Sequence, residues 1–121
     1  MWTLKVERQF HAAHKLEDYT GKCANLHGHT WKVIVHIETY ELQDNGISID
    51  FGIIKQMIDE VIPDHQYLNE YYTFNPTAEN ISRDIYKRIK DKIQNDSRAT
   101  HRIVSVELYE TPTNRVVYTP S

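Results

Sequence analysis

The spacing of the apolar residues changes twice along this chain, and those changes limit the folds that it can adopt. Alternate positions are apolar from residue 4 to residue 14, with Arg8 as the one interruption, and a second alternating run covers residues 29–37. A period of two is typical of a strand with one buried face. Residues 15–26 between the runs are polar and contain Gly21, so the chain is predicted to begin with two adjacent strands joined by a loop.

Helical spacing occupies the middle of the chain. After Asp50, a residue type that caps helices, apolar side chains recur at helical spacing as far as Ile62, and Pro63 ends the pattern. A second helix is predicted after the segment Asn75-Pro76-Thr77, with isoleucine at every fourth position from residue 81 to residue 93.

Alternation returns near the end of the sequence. Val104, Val106 and Leu108 share one parity, residues 112–114 form a turn, and residues 115–118 return as a fourth strand. The order strand, strand, helix, helix, strand, strand predicts an α+β fold. No repeat or linker divides the sequence, so residues 1–121 are expected to form one domain.

The composition argues against several classes of partner. The 121-residue chain has a net charge of −3 and no basic run, so neither a nucleic acid nor a membrane is expected as a partner. No apolar run approaches the ~20 residues that span a bilayer, and the first residues form no apolar signal segment. A single cysteine cannot form an internal disulfide, which favours the cytosol.

Three histidines are predicted to meet at one end of the sheet. His27 and His29 are two residues apart and point to the same face of an extended chain, and His14 ends the preceding strand on its apolar parity. Three imidazoles with a fourth position left open are typical of a catalytic zinc. Histidines that merely lie partly exposed at a strand edge would have the same spacing. His11 and His36 have the opposite parity and are not expected to be ligands.

Cys23 and the pair Asp64-His65 are candidates for acid–base chemistry. Positive charge from Lys22 and from a neighbouring metal would favour a thiolate. A reactive thiolate also needs a histidine and an orienting carboxylate, which Asp64 and His65 supply in adjacent positions. The alternatives are an inert cysteine and a histidine that simply follows a helix C-terminus, where the helix dipole favours it.

Glu110 places a carboxylate at the end of an apolar strand face, because it shares parity with Val106 and Leu108. Burial of an unpaired carboxylate is costly. The side chain is therefore expected either to reach solvent or to accept two parallel hydrogen bonds from a guanidine-like edge, such as the amino-pyrimidinone ring of a pterin.

Six short motifs follow one another along the chain. They are F-H-A-A-H at 10–14, C-A-N-L-H-G-H at 23–29, I-D-F-G at 49–52, D-H-Q-Y-L-N at 64–69, N-P-T-A-E-N at 75–80 and Y-E-T-P-T-N at 109–114. As an ordered set they resemble the 6-pyruvoyltetrahydropterin synthase and 6-carboxytetrahydropterin synthase family, and the resemblance covers nearly the whole chain.

The resemblance implies a fold, an assembly and a metal. The family has the tunnelling fold, or T-fold, in which two helices are inserted between the second and third strands of a four-stranded antiparallel sheet. Its subunits form rings, commonly a homohexamer of two trimers, with the active sites between subunits. Carried over to this chain, His14, His27 and His29 would bind Zn²⁺.

The resemblance also implies roles in the reaction. Cys23 would be the proton-transferring thiol, and Asp64 and His65 would form a coupled acid–base dyad. Glu110 would anchor the pterin ring, with Thr77 as a weaker candidate for the same contact.

The family substrate is 7,8-dihydroneopterin triphosphate, and two branches of the family differ in what they make from it. The interval of four residues between Cys23 and His27 resembles the branch that forms 6-carboxy-5,6,7,8-tetrahydropterin, acetaldehyde and triphosphate for queuosine biosynthesis. The ending E-T-P-T-N-R-V-V-Y at 110–118 resembles the pyruvoyl-forming branch of the biopterin route, so the sequence favours the carboxy-forming branch without excluding the other.

Three other functions are compatible with parts of the pattern. A non-catalytic, zinc-stabilised oligomeric scaffold would be expected to recruit Cys23 as a fourth ligand. A metal-free cysteine–histidine hydrolase would leave the pair His27 and His29 without a role. Side-chain cleavage to 6-hydroxymethyl-7,8-dihydropterin is the third, and relatives with that activity usually have glutamate in place of the cysteine.

Overall fold

The structure, a computed structural model, describes residues 1–96 and 101–121 and consists of one sheet with helices packed against it. The strands are β1 (Trp2–His14), β2 (His27–Thr39), β3 (Gln66–Tyr67), β4 (His101–Tyr109) and β5 (Arg115–Tyr118). The α-helices are α1 (Phe51–Asp59), α2 (Leu68–Tyr71) and α3 (Ala78–Gln94), and a 3₁₀ turn covers Lys22–Ala24. The predicted α+β class is confirmed.

Among the described residues the sheet has five strands in the order β3-β1-β2-β4-β5, so the expected count of four strands is wrong. The additional strand, β3, pairs in parallel with β1 through Ala12 and Ala13, which makes the sheet mixed rather than purely antiparallel. The short helix α2 follows β3 directly and was also not predicted. Neither element is long enough to show a period, because β3 has two residues and α2 has four.

The register of β1 on β2 brings the predicted histidines to one end of the sheet. His14 pairs with His27, and Ala12 pairs with His29. Both strands are longer than predicted, since pairing extends from Trp2 and His27 rather than from residues 4 and 29. Because cross-strand neighbours share a face, His14, His27 and His29 lie side by side.

The β4 strand departs from the predicted alternation at one point. The register with β2 shifts between His36 and Ile37, so that Ile37 pairs with Ile103 while Val35 pairs with Val106. This bulge leaves Val104 half-buried and gives its predicted place in the core to Ile103. An extra residue in one strand reverses the parity on either side of it, which a simple period of two does not anticipate.

The two longer helices cover the apolar face of the sheet. In α3 the predicted isoleucine stripe is buried against β4 and β5. The α1 helix ends at Asp59, earlier than the apolar pattern indicated, although Val61 beyond it is still buried. Arg8 interrupts the apolar face of β1 because its guanidinium forms two hydrogen bonds with Asp59, at 2.8 and 3.0 Å. In the part of the chain described, none of the helices combines the length and the apolar composition that crossing a bilayer requires.

Candidate functional site

Three imidazoles and one carboxylate form a compact group at the end of the β1–β2 hairpin. The ring centroids of His14 and His27 are 4.5 Å apart, those of His27 and His29 are 4.7 Å apart, and those of His14 and His29 are 5.4 Å apart. The carboxylate of Glu110 lies 3.3 Å from Nε2 of His29 and 4.0 Å from Nε2 of His14. One ligand atom from each of these four residues lies within 4.8 Å of the others.

Backbone carbonyls set the orientation of two of the rings. Nδ1–H of His14 donates to the carbonyl of Pro76 at 2.8 Å, and Nδ1–H of His27 donates to the carbonyl of Asn25 at 2.7 Å. These acceptors assign the proton to Nδ1 and leave the lone pair on Nε2. Metal-binding histidines in proteins are commonly held by such a bond from the other ring nitrogen.

The group has unsatisfied polar atoms that a cation would satisfy. Nε2 of His14 and Nε2 of His29 are buried, and neither forms a hydrogen bond within the described residues. Burial lowers the pKa of His14 and of His29, so both rings are held in the neutral form that binds metals. Imidazole nitrogens and a carboxylate oxygen are donors that suit zinc, and the four residues therefore fit a divalent cation of that kind.

The core supports this group from below. Trp31 is fully buried, and its ring contacts those of His14 and His29 at centroid distances of 5.1 and 5.5 Å. Trp31 also stacks on Phe10 and donates its indole N–H to the carbonyl of Ala12 at 3.2 Å. Close packing around a bonded indole leaves the imidazoles few other rotamers.

Two asparagines that the sequence analysis did not single out attach the loop between β1 and β2 to the rest of the chain. Asn69 accepts from the backbone N–H of Lys15 and donates to its carbonyl, both at 2.9 Å. Asn75 makes the same pair of bonds with Glu17, at 3.1 and 3.2 Å. Both residues belong to motifs that carry the resemblance. Their side-chain amides form the pair of backbone hydrogen bonds that a neighbouring strand would otherwise supply, and this role is visible only in the fold.

Cys23 lies in this loop and outside the group of possible metal ligands. It occupies the middle of the 3₁₀ turn, is half-buried, and accepts a hydrogen bond at its carbonyl from the N–H of Leu16 at 2.8 Å. Its Sγ is not one of the clustered donor atoms. This position differs from that of a fourth ligand in a structural zinc site. Its role as a proton carrier stays a prediction.

The side chains of Asp64 and His65, the pair predicted to act as an acid–base dyad, are in contact with each other, and the backbone of His11 holds both; their catalytic role stays a prediction. Asp64 Oδ2 lies 3.0 Å from His65 Nδ1, while Asp64 Oδ1 accepts from the N–H of His11 at 2.9 Å. That backbone bond is the largest cause of the lowered pKa of Asp64, with smaller contributions from His65. The N–H of His65 donates to the carbonyl of His11 at 2.6 Å.

His65 has a backbone conformation that is unusual for its residue type. Its φ is +58°, in the left-handed region that a non-glycine residue adopts at a cost of about 1–3 kcal/mol. The bonds to His11 and Asp64 hold it there, and the imidazole itself remains exposed to solvent. Such strain is characteristic of functional positions.

The dyad lies on the other face of the sheet from the imidazole group. The ring of His65 contacts the ring of His11 edge-on, at a centroid distance of 5.8 Å. His11 has the opposite strand parity to His14, and its Nδ1 is 3.1 Å from Oγ1 of Thr30 on β2. Within one chain, the structure therefore does not bring Asp64 and His65 into the group formed by His14, His27, His29 and Glu110.

Two clefts meet at Gly28. The first cleft has a volume of about 490 Å³ and is lined by Lys32, Tyr109 and Glu110. The second has a volume of about 500 Å³ and is lined by His11 and His65. Gly28, His29 and Thr30 line both clefts. Gly28 is not in the left-handed region, and a Cβ added to it would meet no atom of the described residues within 4 Å. Neither its backbone conformation nor packing within the chain accounts for a glycine at this position.

Thr77 has a clear structural role. Its Oγ1 accepts from the N–H of Asn80 at 3.1 Å and caps α3, directly after the Pro76 carbonyl that orients His14. Contact with a substrate is not required to explain this residue, and that contact stays a prediction. The carbonyls of Pro76 and Asn25 had no sequence signal, because any residue type carries one.

Comparisons with known proteins agree with the fold and with the family that the motifs indicated. Residues 3–121 match the family model described as 6-pyruvoyl tetrahydropterin synthase. The chain is 33% identical to the 6-carboxy-5,6,7,8-tetrahydropterin synthase of Haemophilus influenzae, over 98% of this chain and 99% of that one. It is 31% identical to the enzyme of the same name from Synechocystis, over 98% and 93% of the two chains.

A solved structure gives the same result for the architecture. The 6-pyruvoyl tetrahydropterin synthase of Caenorhabditis elegans superposes with a TM-score of 0.82 and 25% identity, covering 99% of this chain and 96% of that one. The T-fold inferred from the motifs is therefore confirmed, with the fifth strand and the short helix as the differences described above.

Substitution of Thr77 tests its capping role. Thr77→Ala is expected to lower the free energy of unfolding by about 1 kcal/mol, because α3 loses a side-chain acceptor for one of its first N–H groups. Thr77→Ser keeps that acceptor and is the matched control. Urea unfolding followed by circular dichroism measures both, and equal stability of Thr77→Ala and the unsubstituted protein would refute the capping role.

Proposed function

Since the chain belongs to the 6-pyruvoyl tetrahydropterin synthase family, we propose that it is a zinc-dependent lyase that converts 7,8-dihydroneopterin triphosphate and one water molecule to 6-carboxy-5,6,7,8-tetrahydropterin, acetaldehyde and triphosphate, in the route to queuosine. The observation that carries the proposal is the convergence of three imidazoles and one carboxylate beside an open cleft. The names of the relatives from Haemophilus influenzae and Synechocystis support the carboxy-forming branch. A cytosolic location fits the single free cysteine.

His14, His27 and His29 are the proposed zinc ligands. Bound there, zinc would supply Lewis-acid polarisation of the hydroxyl groups on the substrate side chain. The chain itself preorganises the rings. The carbonyls of Pro76 and Asn25 fix the tautomers of His14 and His27, and the indole of Trp31 packs beneath the rings. Little reorganisation is then needed when a metal binds.

Glu110 is the proposed recognition residue for the pterin ring. Its carboxylate borders the cleft of about 490 Å³, and its two oxygens could accept parallel hydrogen bonds from the amino-pyrimidinone edge. The backbone N–H of Glu110 donates to the carbonyl of Asn114 at 3.1 Å, and this bond fixes the backbone position from which the side chain extends. The edge contact orients the ring so that its side chain extends toward the imidazoles.

Cys23 and the dyad are the proposed proton carriers. The thiolate of Cys23 would remove a proton from a side-chain carbon as general base, and His65, oriented by Asp64, would deliver one as general acid. The 3.0 Å contact between Asp64 and Nδ1 of His65 supports this assignment, because it directs Nε2 of the exposed ring outward. Two carriers on separate elements allow one proton to be removed and another delivered in the same site.

A homohexamer of two trimers is part of the proposal, with each site completed by a second copy of the chain. The dyad and the imidazole group lie on opposite faces of one sheet, so a dyad from another subunit would have to meet the substrate. In the described chain, β1 pairs with β3 only through Ala12 and Ala13, and β5 pairs only with β4, which leaves two sheet edges free. Trp2 and Val117 are exposed on these two strands, and free edges readily pair with other chains.

The pyruvoyl-forming reaction is the second candidate. Its support is the similarity to the Caenorhabditis elegans 6-pyruvoyl tetrahydropterin synthase, together with the sequence of the β4–β5 turn. Both reactions use the same proposed ligands and carriers. The products therefore decide between them.

The decisive experiment is to incubate the zinc-loaded protein with 7,8-dihydroneopterin triphosphate and to identify the products by mass. 6-Carboxy-5,6,7,8-tetrahydropterin with acetaldehyde and triphosphate is expected. 6-Pyruvoyltetrahydropterin would assign the protein to the second candidate. Absence of turnover would refute both and favour a non-catalytic scaffold.

Substitutions should separate proton transfer from metal binding. Cys23→Ala is expected to lower kcat by at least about 100-fold, because a general base is lost, while zinc content stays near that of the unsubstituted protein. His27→Ala should lose both zinc and turnover. His36→Ala, on the opposite face of β2, is the control and should keep its zinc. Substantial activity in Cys23→Ala would contradict the assignment of the thiol.

Mixed oligomers test the shared site. Cys23→Ala and His65→Ala subunits are each expected to be inactive alone, and co-refolding the two should restore part of the turnover, because some sites then combine an intact thiol with an intact dyad. Light scattering should give the mass of a hexamer for each preparation. A fully assembled but inactive mixture would show that both residues must come from one chain.

A further inference from the structure

The position of Glu110 is not explained by pterin recognition alone. Its oxygens lie 3.3 and 4.0 Å from Nε2 of His29 and Nε2 of His14. Zinc bonds of about 2.0–2.2 Å in a tetrahedron place neighbouring ligand atoms roughly 3.4 Å apart. The spacing of the carboxylate from the two imidazoles is therefore close to that of a fourth ligand.

Contact between the carboxylate of Glu110 and Nε2 of His14 is unfavourable without a cation. Nδ1–H of His14 is used by the carbonyl of Pro76, so its Nε2 presents a lone pair toward the carboxylate of Glu110. Nε2 of His29 forms no hydrogen bond with the nearer oxygen despite the short separation. Acceptors that face each other in a partly buried site repel, and a divalent ion between them would turn that repulsion into coordination.

A carboxylate turned toward the metal is not oriented for a pair of parallel hydrogen bonds with a pterin edge in the cleft. Two parallel hydrogen bonds require both oxygens to point at the ring, whereas coordination directs one of them to the metal. The backbone of Glu110 is fixed by Asn114, but its side chain is a quarter exposed and can change rotamer. The two contacts are therefore alternatives.

We propose that Glu110 is the fourth metal ligand in the substrate-free protein and exchanges the metal for the pterin ring when substrate binds. This inference rests on the proposed function, and it assigns the same carboxylate two successive partners. The closed resting site would have three imidazoles and one carboxylate. Recognition of the ring would open the fourth position next to the substrate side chain, so that a molecule without a pterin edge does not gain access to the metal.

The exchange has a thermodynamic consequence. Because the metal and the pterin ring compete for one carboxylate, each lowers the affinity for the other. Pterin itself, which has the ring but no side chain to contact the metal, should bind the metal-loaded protein about tenfold more weakly than the metal-free protein. This difference should disappear in Glu110→Gln, in which the amide is a poor ligand.

Cobalt(II) in place of zinc provides a readout that does not depend on turnover. The unsubstituted protein, Glu110→Gln and the control Glu107→Gln are titrated with Co²⁺, and their visible absorption is recorded. The control changes a carboxylate of β4 that lies three residues before Glu110. Glu110→Gln is expected to bind Co²⁺ at least about tenfold more weakly and to show an altered spectrum, whereas Glu107→Gln should match the unsubstituted protein. Added pterin should change the spectrum of the unsubstituted protein and leave that of Glu110→Gln unchanged.

The outcomes separate this inference from the function on which it rests. Equal Co²⁺ affinity and identical spectra in Glu110→Gln and the unsubstituted protein would refute the exchange while leaving the three-histidine metal site intact. Failure of the unsubstituted protein itself to bind Co²⁺ would remove the metal centre and with it the proposed function.

Discussion

The pairing of β1 with β2 is the constraint on which the rest of the structure depends. His14 opposite His27 and Ala12 opposite His29 fix three imidazoles side by side, above the buried indole of Trp31. A slip of one residue in this register would turn the histidines of one strand to the other face. The buried stack of Phe10 on Trp31 makes such a slip costly, because it would also expose two large aromatic rings.

Much of the fold could be predicted from periodicity, and the failures have local physical causes. Two strands, two helices and two further strands were read correctly because each is long enough to repeat its pattern. The bulge at Val104 was missed because an inserted residue changes the parity without changing the composition. The β3 strand was missed because two residues cannot show a period, and it exists only where β1 offers an edge.

Prediction of the site divides in a similar way. Strand parity was sufficient to place His14, His27 and His29 on one face, because the parity rule needs no knowledge of the rest of the fold. It could not show that Glu110 approaches the same group or that Asp64 and His65 lie on the opposite face. Those positions depend on a turn and on an edge strand. The carbonyls that orient His14 and His27 belong to the backbone of Pro76 and Asn25. Because every residue type has such a carbonyl, the identity of these two residues does not indicate the role.

Contacts within the single chain do not explain why residue 28 is a glycine. It is a glycine inside a β-strand, in ordinary backbone conformation, with open space where a Cβ would be. By the usual criteria of protein stabilisation, alanine here would be an improvement, because it restricts the unfolded chain and suits a strand better. A redesign guided by stability would therefore choose this position early, and the methyl group would occupy the place where the two clefts meet. The space at Gly28 is better regarded as part of the binding surface than as a defect in packing.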